Sequence, residues 1–318
     1  MLYIAPMMAW TDRHCRFLHR LCAPSATLFT EMVTANALTH GDRWQLLEFD
    51  PAEHPVVLQL GGNDPESLAR CTQAAFNRGF DEVNLNVGCP SNRVQDGAFG
   101  ACLMKTPDRV AHCVEAMATS SQPITVKCRL GVDGADSEEL LHAFIATVAK
   151  AGCKRFYVHA RIAILNGLSP AQNREIPPLQ YDRVQRLKGA FPDLEIIVNG
   201  GITNLDSVRT HLQWADGVML GRAAYHDPVL LAECHRALTD SDFQFNRIEI
   251  MMAYREYMTT QLDAGVGLRP LIKPLLGLFN GMTGARAFRR TLSDPARLKS
   301  RDTTVLDDAL AHVFGRAA

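Results

Sequence analysis

The stretch VVLQLGGNDPESLARCTQAAFNRGFDEVNLNVG, residues 56–88, decides the fold class of this chain. It begins with an apolar run at 56–60, continues with a helix-like segment at 65–79 that ends in glycine, and closes with a second apolar run at 82–88. Short, nearly continuous apolar runs indicate strands buried on both faces, and a terminal glycine is typical of a helix end. The stretch therefore predicts a strand–helix–strand unit with parallel strands.

The same alternation extends along most of the chain and predicts eight strands. They are expected at 2–6, 28–32, 56–60, 82–88, 124–130, 156–161, 196–201 and 217–222. Eight buried strands alternating with helices favour an α/β fold of the (β/α)8 TIM-barrel type, with a doubly wound open sheet as the alternative. Beyond about residue 240 the pattern is helical. We therefore predict a barrel domain at 1–240 and a C-terminal helical domain at 241–318.

The composition of the chain is that of a globular protein. Of its 318 residues, 47% are hydrophobic and 21% are charged, a balance that permits a large core. The sequence contains neither a run of 18 apolar residues nor a cleavable leader, so we expect a cytoplasmic protein without a membrane partner. The nine cysteines include no CxxC pair, which disfavours disulfides and a metal site. Nothing in the sequence indicates an obligate protein partner.

Charge is distributed unevenly along a chain whose net charge is −1. From residue 241 onward eleven Lys and Arg stand against eight Asp and Glu, a net charge of +3, which leaves −4 for residues 1–240. Within the basic stretch from 286 to 301, Arg286 and Arg289 are three residues apart, so on a helix they project from one face. A solvated helix surface is the ordinary explanation, and contact with nucleic acid is the functional one.

Polar side chains recur at the carboxyl ends of the predicted strands, where (β/α)8 barrels collect their reactive groups. They are Gln59, Asn84, Asn86, Cys89, Lys127, Arg129, His159, Arg161 and Asn199. The last two loops carry Asn199-Gly200-Gly201 and Gly221-Arg222. Glycines there let backbone N–H groups approach a phosphate, although either loop alone is also explained by a simple turn. Together the two loops predict a site for a phosphorylated ligand.

Several motifs resemble those of the tRNA-dihydrouridine synthase family. In chain order they are APMMAWTDRHCR at 5–16, NLNVGCPS at 84–91, QDGAFGACLM at 95–104, VHAR at 158–161, NREIPPL at 173–179, VNGGI at 198–202, VMLGRAAY at 218–225 and GARAFRR at 284–290. The HAR form, the NREIPP segment and the tail are similar to the subgroup that acts at uridines 20 and 20a of the D-loop. The resemblance implies a barrel enzyme that uses FMN and NADPH and acts on tRNA.

The resemblance also implies roles for individual residues. The residues implied to hold FMN are Pro6, Met7, Met8, Gln59, Lys127, His159, Asn199, Gly200, Gly201, Gly221 and Arg222. Among them, Lys127 is expected near flavin N1 and O2, where reduced flavin carries negative charge. Cys89 is implied to be the acid that protonates C5 of uracil, with Cys102 as the competing candidate, and Asn86 is implied to hold the uracil edge.

Contacts to tRNA are implied for the residues Arg174, Arg286 and Arg289. Ala171 stands where relatives often carry lysine, so one phosphate contact is expected to be missing. Two other functions stay open. A flavin barrel acting on a free pyrimidine, such as a dihydroorotate-type dehydrogenase, would not require the basic tail. An RNA-binding barrel that has lost its cofactor would be colourless when purified.

Overall fold

The computed structural model describes residues 1–118, 122–299 and 303–315. The strands in these residues are β1 (Leu2–Ile4), β2 (Thr27–Thr34), β3 (Val56–Gly61), β4 (Glu82–Val87), β5 (Ile124–Arg129), β6 (Arg155–His159), β7 (Glu195–Asn199) and β8 (Gly217–Leu220). They form a closed parallel barrel in sequence order, because β8 pairs with β1. Closure confirms the predicted (β/α)8 barrel and excludes the open doubly wound sheet.

At least one α-helix separates each pair of successive strands, as the sequence predicts. The α-helices of the described residues are α1 (Arg13–Cys22), α2 (Ala35–Thr39), α3 (Pro65–Asn77), α4 (Asn92–Asp96), α5 (Pro107–Met117), α6 (Glu138–Lys150), α7 (Tyr181–Ala190), α8 (Leu205–Leu212), α9 (Arg222–His226), α10 (Pro228–Leu238), α11 (Arg247–Asp263), α12 (Leu268–Ile272), α13 (Ala285–Leu292) and α14 (Thr304–Phe314). Short 3-10 helices occupy Trp44–Leu47, Pro51–Glu53, Gly100–Lys105, Gln172–Arg174, Lys273–Gly277 and Arg297–Lys299.

Local signals in the sequence set the ends of the helices that flank the strands. The Asp64 carboxylate accepts the N–H of Ser67 at the start of α3, where Pro65 occupies the first turn. Gly79 follows the end of this helix with a φ of +94°, a conformation that glycine adopts at little cost. Such an N-cap stabilises a helix by about 1 kcal/mol, and Gly79 then lets the chain turn from the helix into β4.

Large side chains fill the interior of the barrel. The ring of Tyr157 meets the rings of Tyr3 and Phe29 edge to face, at centroid distances of 5.2 and 5.0 Å. All three residues are at most 1% exposed. Burying a large apolar side chain contributes about 1.5–3 kcal/mol, so these rings hold the strands together below the polar rim.

The described residues divide into two compact units. One consists of Met1–Ala9 and Ala26–Gly221 and contains all eight strands; the other consists of Trp10–Ser25 and the described part of Arg222–Ala318. Within the second unit α1 packs on α11, since the ring of Phe17 stacks on that of Tyr257 at 3.9 Å. The C-terminal helices that the sequence predicts are present, and the boundary expected between residues 240 and 241 stays a prediction.

No α-helix in the described ranges is both long enough and apolar enough to span a membrane.

Candidate active site

Lys127 extends from β5 at the carboxyl end of the barrel. Its Nζ donates to Asn199 Oδ1 at 2.9 Å, and Asn199 Nδ2 donates to the carbonyl of Met219 at 2.8 Å. The ammonium group is therefore held by an oriented, neutral amide that does not offset its charge. Burial, and secondly the positive charge of Arg129, lower the pKa of Lys127 to about 8. An ammonium group of this kind can stabilise negative charge on a ligand at neutral pH.

Two buried carboxamides connect β3 with the turn after β4. Asn86 Nδ2 donates to Gln59 Oε1 at 2.9 Å. Asn86 Oδ1 accepts the backbone N–H groups of Gly88 and Cys89, at 3.1 and 3.0 Å. The carbonyl of Cys89 accepts the N–H of Ala101 at 2.9 Å. The Cys89 turn is thus fixed through both its N–H and its carbonyl group.

Cys89 is partly exposed as a residue. Burial raises the pKa of its thiol above the ordinary value, against the smaller opposite effects of the Ser91 N–H, Arg129 and Arg174. A thiol with a raised pKa keeps its proton at neutral pH and can donate that proton, whereas the nucleophile in cysteine chemistry is the thiolate. The local environment therefore suits a general acid.

The competing thiol, Cys102, lies on the 3-10 helix Gly100–Lys105. Burial raises its pKa as well. Its Sγ donates to the carbonyl of Phe99 at 3.1 Å, so its proton is already engaged in a hydrogen bond. This contact supports Cys89 over Cys102 as the acid.

The loop after β7 forms a glycine cradle beside His159. Gly200 and Gly201 have φ values of +110° and +69°, which L side chains rarely adopt. A Cβ atom on Gly200 would lie 2.5 Å from His159 Cδ2, and one on Gly201 would lie 2.4 Å from Leu179 Cδ1. Both positions therefore favour glycine for their backbone conformation, and at Gly200 a side chain would also collide with the ring of His159.

Positive charge accumulates around His159. Burial lowers the pKa of this imidazole well below its ordinary value, and the nearby cations Arg129, Lys127, Arg161 and Arg174 act in the same direction. A neutral imidazole beside several cations and a glycine cradle is an environment that suits a phosphate group. The residues present therefore fit a phosphorylated cofactor.

Arg129 joins two loops at the carboxyl end of the barrel, a role that its position in the sequence does not reveal. Its Nε donates to the carbonyl of Gly88 at 2.9 Å, and its Nη1 donates to the carbonyls of Ile162 and Asn173 at 3.1 and 3.0 Å. Burial lowers the pKa of this guanidinium to about 10, so it stays charged at neutral pH. It ties the turn after β4 to the loop after β6. Its signals in the sequence are its place among the polar strand ends and its position two residues after Lys127, on the same face of β5.

The remaining predicted residues of the barrel unit lie on loops. Those that follow β1 and β8 are Pro6, Met7, Met8 and Gly221, and Met8 is 61% exposed. Ala171 and Arg174 are exposed at the two ends of a 3-10 turn after β6. Arg174 is close enough to lower the pKa of the Cys89 thiol, whereas Ala171 offers no polar side chain.

Three predicted residues belong to the second unit, where Arg222 begins α9 and Arg286 and Arg289 lie on α13. The structure distinguishes the last two. Arg289 Nη1 donates to Asn280 Oδ1 at 2.5 Å, whereas Arg286 is exposed, as is Arg290. Residues four apart share one face of a helix, so Arg286 and Arg290 form the exposed basic pair of α13.

Fold and site together define a class of protein, a (β/α)8 barrel with polar groups and a glycine cradle at the carboxyl ends of the strands, which is where barrel enzymes carry their active sites. The dihydrouridine synthase family model matches residues 3–314. The chain therefore belongs to the dihydrouridine synthase family and is an enzyme of that family.

Individual proteins agree with this assignment. The tRNA-dihydrouridine(20/20a) synthase of Xanthomonas axonopodis pv. citri is 53% identical over 317 residues, 99% of this chain and 95% of that protein. The protein of the same name from Vibrio cholerae is 49% identical over 315 residues, 98% of this chain and 96% of that protein. A mutant of morphinone reductase in complex with tetrahydroNAD matches 74% of this chain and 86% of its own, with a TM-score of 0.53 and 13% identity, and supports the fold.

Proposed function

We propose that this enzyme is an FMN-dependent tRNA-dihydrouridine synthase that uses NADPH and reduces the C5–C6 double bond of uridine at positions 20 and 20a. The observation that carries the proposal is the fixed turn that presents the Cys89 thiol, with its pKa raised, at the same end of the barrel as the oriented ammonium of Lys127. The names and identities of the relatives support the substrate and the positions. A tRNA substrate also supports a cytoplasmic location.

The residues of the barrel unit suit FMN. His159, Gly200 and Gly201 would hold its phosphate, and Lys127 would offset the negative charge of the reduced ring. When bound, reduced FMN supplies the hydride that adds to C6 of uracil. The assignments of Pro6 to Met8, Gly221 and Arg222 to the cofactor stay predictions from the family resemblance.

The proton for C5 would come from Cys89, and Asn86 would hold the base. Both lone pairs of Asn86 Oδ1 accept backbone N–H groups, and one Nδ2 hydrogen is given to Gln59. One Nδ2 hydrogen is left, so Asn86 can only donate to the substrate. A carbonyl oxygen of uracil is an acceptor that fits this remaining hydrogen.

The test is direct. Purified protein is expected to release FMN on denaturation and, with NADPH, to form dihydrouridine at positions 20 and 20a of tRNA taken from a strain that lacks the enzyme. Release of FAD, or of no flavin, would contradict the cofactor assignment. Reduction of free orotate or uracil as fast as that of tRNA would instead favour an enzyme of small pyrimidines.

The role of Lys127 predicts how FMN affinity depends on pH. Because its pKa is about 8 in the protein without ligand and the negative charge of the reduced ring would raise it, affinity for reduced FMN should not decline between neutral pH and about pH 8. Above that it should fall by up to tenfold per pH unit. Titration calorimetry of the apoprotein from pH 6 to 10 measures this. In Lys127→Met the affinity should be lower and this alkaline decline should disappear; an identical decline in both proteins would remove Lys127 from the cofactor site.

The exposed pair Arg286 and Arg290 predicts the salt dependence of tRNA binding. Each lost phosphate contact should reduce the slope of log K against log salt by roughly 0.7–0.9. We expect Arg286→Ala/Arg290→Ala to weaken tRNA binding and flatten the slope, whereas Arg70→Ala, an exposed arginine on α3, should change neither. An unchanged slope in the double variant would exclude this face of α13 from tRNA binding. Arg289→Ala should have less effect, because Asn280 already holds its guanidinium.

A further inference from the structure

A continuous series of hydrogen bonds leads from the first residue of β4 to the Cys89 turn. Thr125 Oγ1 donates to Glu82 Oε1 at 2.5 Å, and Asn84 Nδ2 donates to Thr125 Oγ1 at 2.9 Å. Gln59 Nε2 donates to Asn84 Oδ1 at 2.8 Å, and Asn86 Nδ2 donates to Gln59 Oε1 at 2.9 Å. All members are at most 8% exposed. We refer to them as the amide chain: Glu82, Thr125, Asn84, Gln59 and Asn86.

The end of the amide chain at Glu82 can only accept hydrogen bonds. Besides Thr125, the Glu82 carboxylate accepts Tyr157 OH at 3.0 Å and Arg155 Nη1 at 2.6 Å. Burial raises the pKa of Glu82, and the Arg155 guanidinium opposes that rise. Surrounded by three donors, one of them charged, the carboxylate has no proton to give. Thr125 must therefore direct its hydroxyl proton to Glu82 and accept from Asn84.

The end at the Cys89 turn can only donate, because it consists of the backbone N–H groups of Gly88 and Cys89. With both ends fixed, each carboxamide in between has one orientation. Its oxygen faces the Cys89 turn and its nitrogen faces Glu82. Turning any one of these amides over would place two donors or two acceptors against each other, which is costly for buried groups.

We propose that Glu82 is a positioning residue of this enzyme, which acts through the amide chain on Asn86 and on the Cys89 turn. Its carboxylate sets the direction of every hydrogen bond that follows. The orientation of Asn86 then decides that its oxygen grips the turn and that its free N–H is offered to the base. This inference rests on the dihydrouridine synthase function proposed above.

Thr125 is the position at which the amide chain can be interrupted with little change of shape. Thr125→Val removes the hydroxyl between Glu82 and Asn84. We expect kcat for uridine reduction in tRNA to fall roughly 10- to 100-fold, with KM for tRNA within about twofold of the wild-type value. Thr125→Ser keeps the hydroxyl and should restore kcat. Glu82→Gln should resemble Thr125→Val, because an amide can no longer accept at both of its ends.

Tyr157→Phe is the matched control. The Tyr157 hydroxyl donates to the same oxygen of Glu82 as Thr125 does, but it lies outside the amide chain. Its loss removes a buried hydrogen bond of the same carboxylate without interrupting the series, so kcat should stay near the wild-type value. A purely structural role of the Glu82 region would instead make Tyr157→Phe and Thr125→Val equally impaired, and that result would overturn the proposal.

A second measurement does not depend on activity. This measurement is the rate at which iodoacetamide alkylates Cys89, mapped by mass spectrometry. The rate should rise in Thr125→Val and Glu82→Gln, because Asn86 no longer holds the turn in place. It should be unchanged in Thr125→Ser and Tyr157→Phe. If the wild-type protein formed no dihydrouridine, the proposed function would fail while this pattern would still support the amide chain. Wild-type kcat and alkylation rates in Thr125→Val would overturn the role of Glu82, whatever the function.

Discussion

Replacement of Cys89 by alanine is expected to slow uridine reduction by roughly 10²- to 10⁴-fold, while FMN and tRNA still bind. The change removes the proton donor and leaves the groups assigned to the cofactor in place. Single-turnover reduction of tRNA by the pre-reduced enzyme measures the step directly. Since burial raises the pKa of this thiol, the wild-type rate should be level at low pH and should fall as the pH rises through that raised pKa.

Cys102→Ala serves as the comparison for this experiment. Its thiol proton is bound to the carbonyl of Phe99, so its removal should change the rate by only a small factor. A Cys89→Ala enzyme that reduced tRNA at the wild-type rate, together with an inactive Cys102→Ala enzyme, would show that the acid had been assigned to the wrong cysteine.

Replacement of Arg155 by methionine is expected to lower the free energy of unfolding by about 3–5 kcal/mol, because it leaves the buried Glu82 without its cation. The Glu82 side chain is only 4% exposed, and Arg155 pairs with it at 2.6 Å and with Glu195 at 2.7 Å. Urea unfolding at several pH values measures the loss. The remaining carboxyl would have a pKa raised above that in the unfolded chain, so the folded state would bind the extra proton and the loss should grow as the pH rises.

Two further variants test whether the loss of stability comes from the unpaired Glu82 carboxylate. Glu82→Gln/Arg155→Met removes both charges and should recover part of the lost stability. Arg186→Met breaks ion pairs with Glu138 and Asp182 in which the arginine side chain is 50% exposed, and such pairs contribute about 0–1 kcal/mol. If Arg155→Met lowered the free energy of unfolding no more than Arg186→Met, the buried Glu82–Arg155 pair would not stabilise the fold more than an exposed pair does.

Much of the barrel could be predicted because its strands are nearly continuous apolar runs between turn signals. Every predicted strand overlaps an observed one, and β3 and β4 begin at the predicted residues 56 and 82. Strand ends were less exact: β1, predicted at 2–6, ends at Ile4. The pairing of Trp10–Ser25 with the C-terminal helices in one compact unit was not expected, because no local pattern records which distant helix covers an apolar face.

The sequence predicts which residues belong to the site better than it predicts which hydrogen bonds join them. Period-two spacing places Asn84 and Asn86 on one face of β4, and the family resemblance draws attention to Cys89. Spacing cannot tell that Arg129 binds three carbonyls, or that Asn86 grips the turn, because those contacts join loops and strands that are far apart in sequence. A run of basic residues likewise does not show which of its side chains face solvent. Arg289 is held by Asn280, whereas Arg290, to which no role was assigned, is exposed.

The raised pKa of Cys89 also bears on the chemical durability of the enzyme. Oxidants attack the thiolate, and the first product is a sulfenic acid. A thiol that keeps its proton should therefore oxidise slowly, as a sulfenic-acid probe applied after peroxide treatment would measure. Seven of the other cysteines are buried, and Cys102 is the partly exposed thiol that could resolve such damage. The thiol proton of Cys89 that the reaction requires thus also slows oxidation of its sulfur atom.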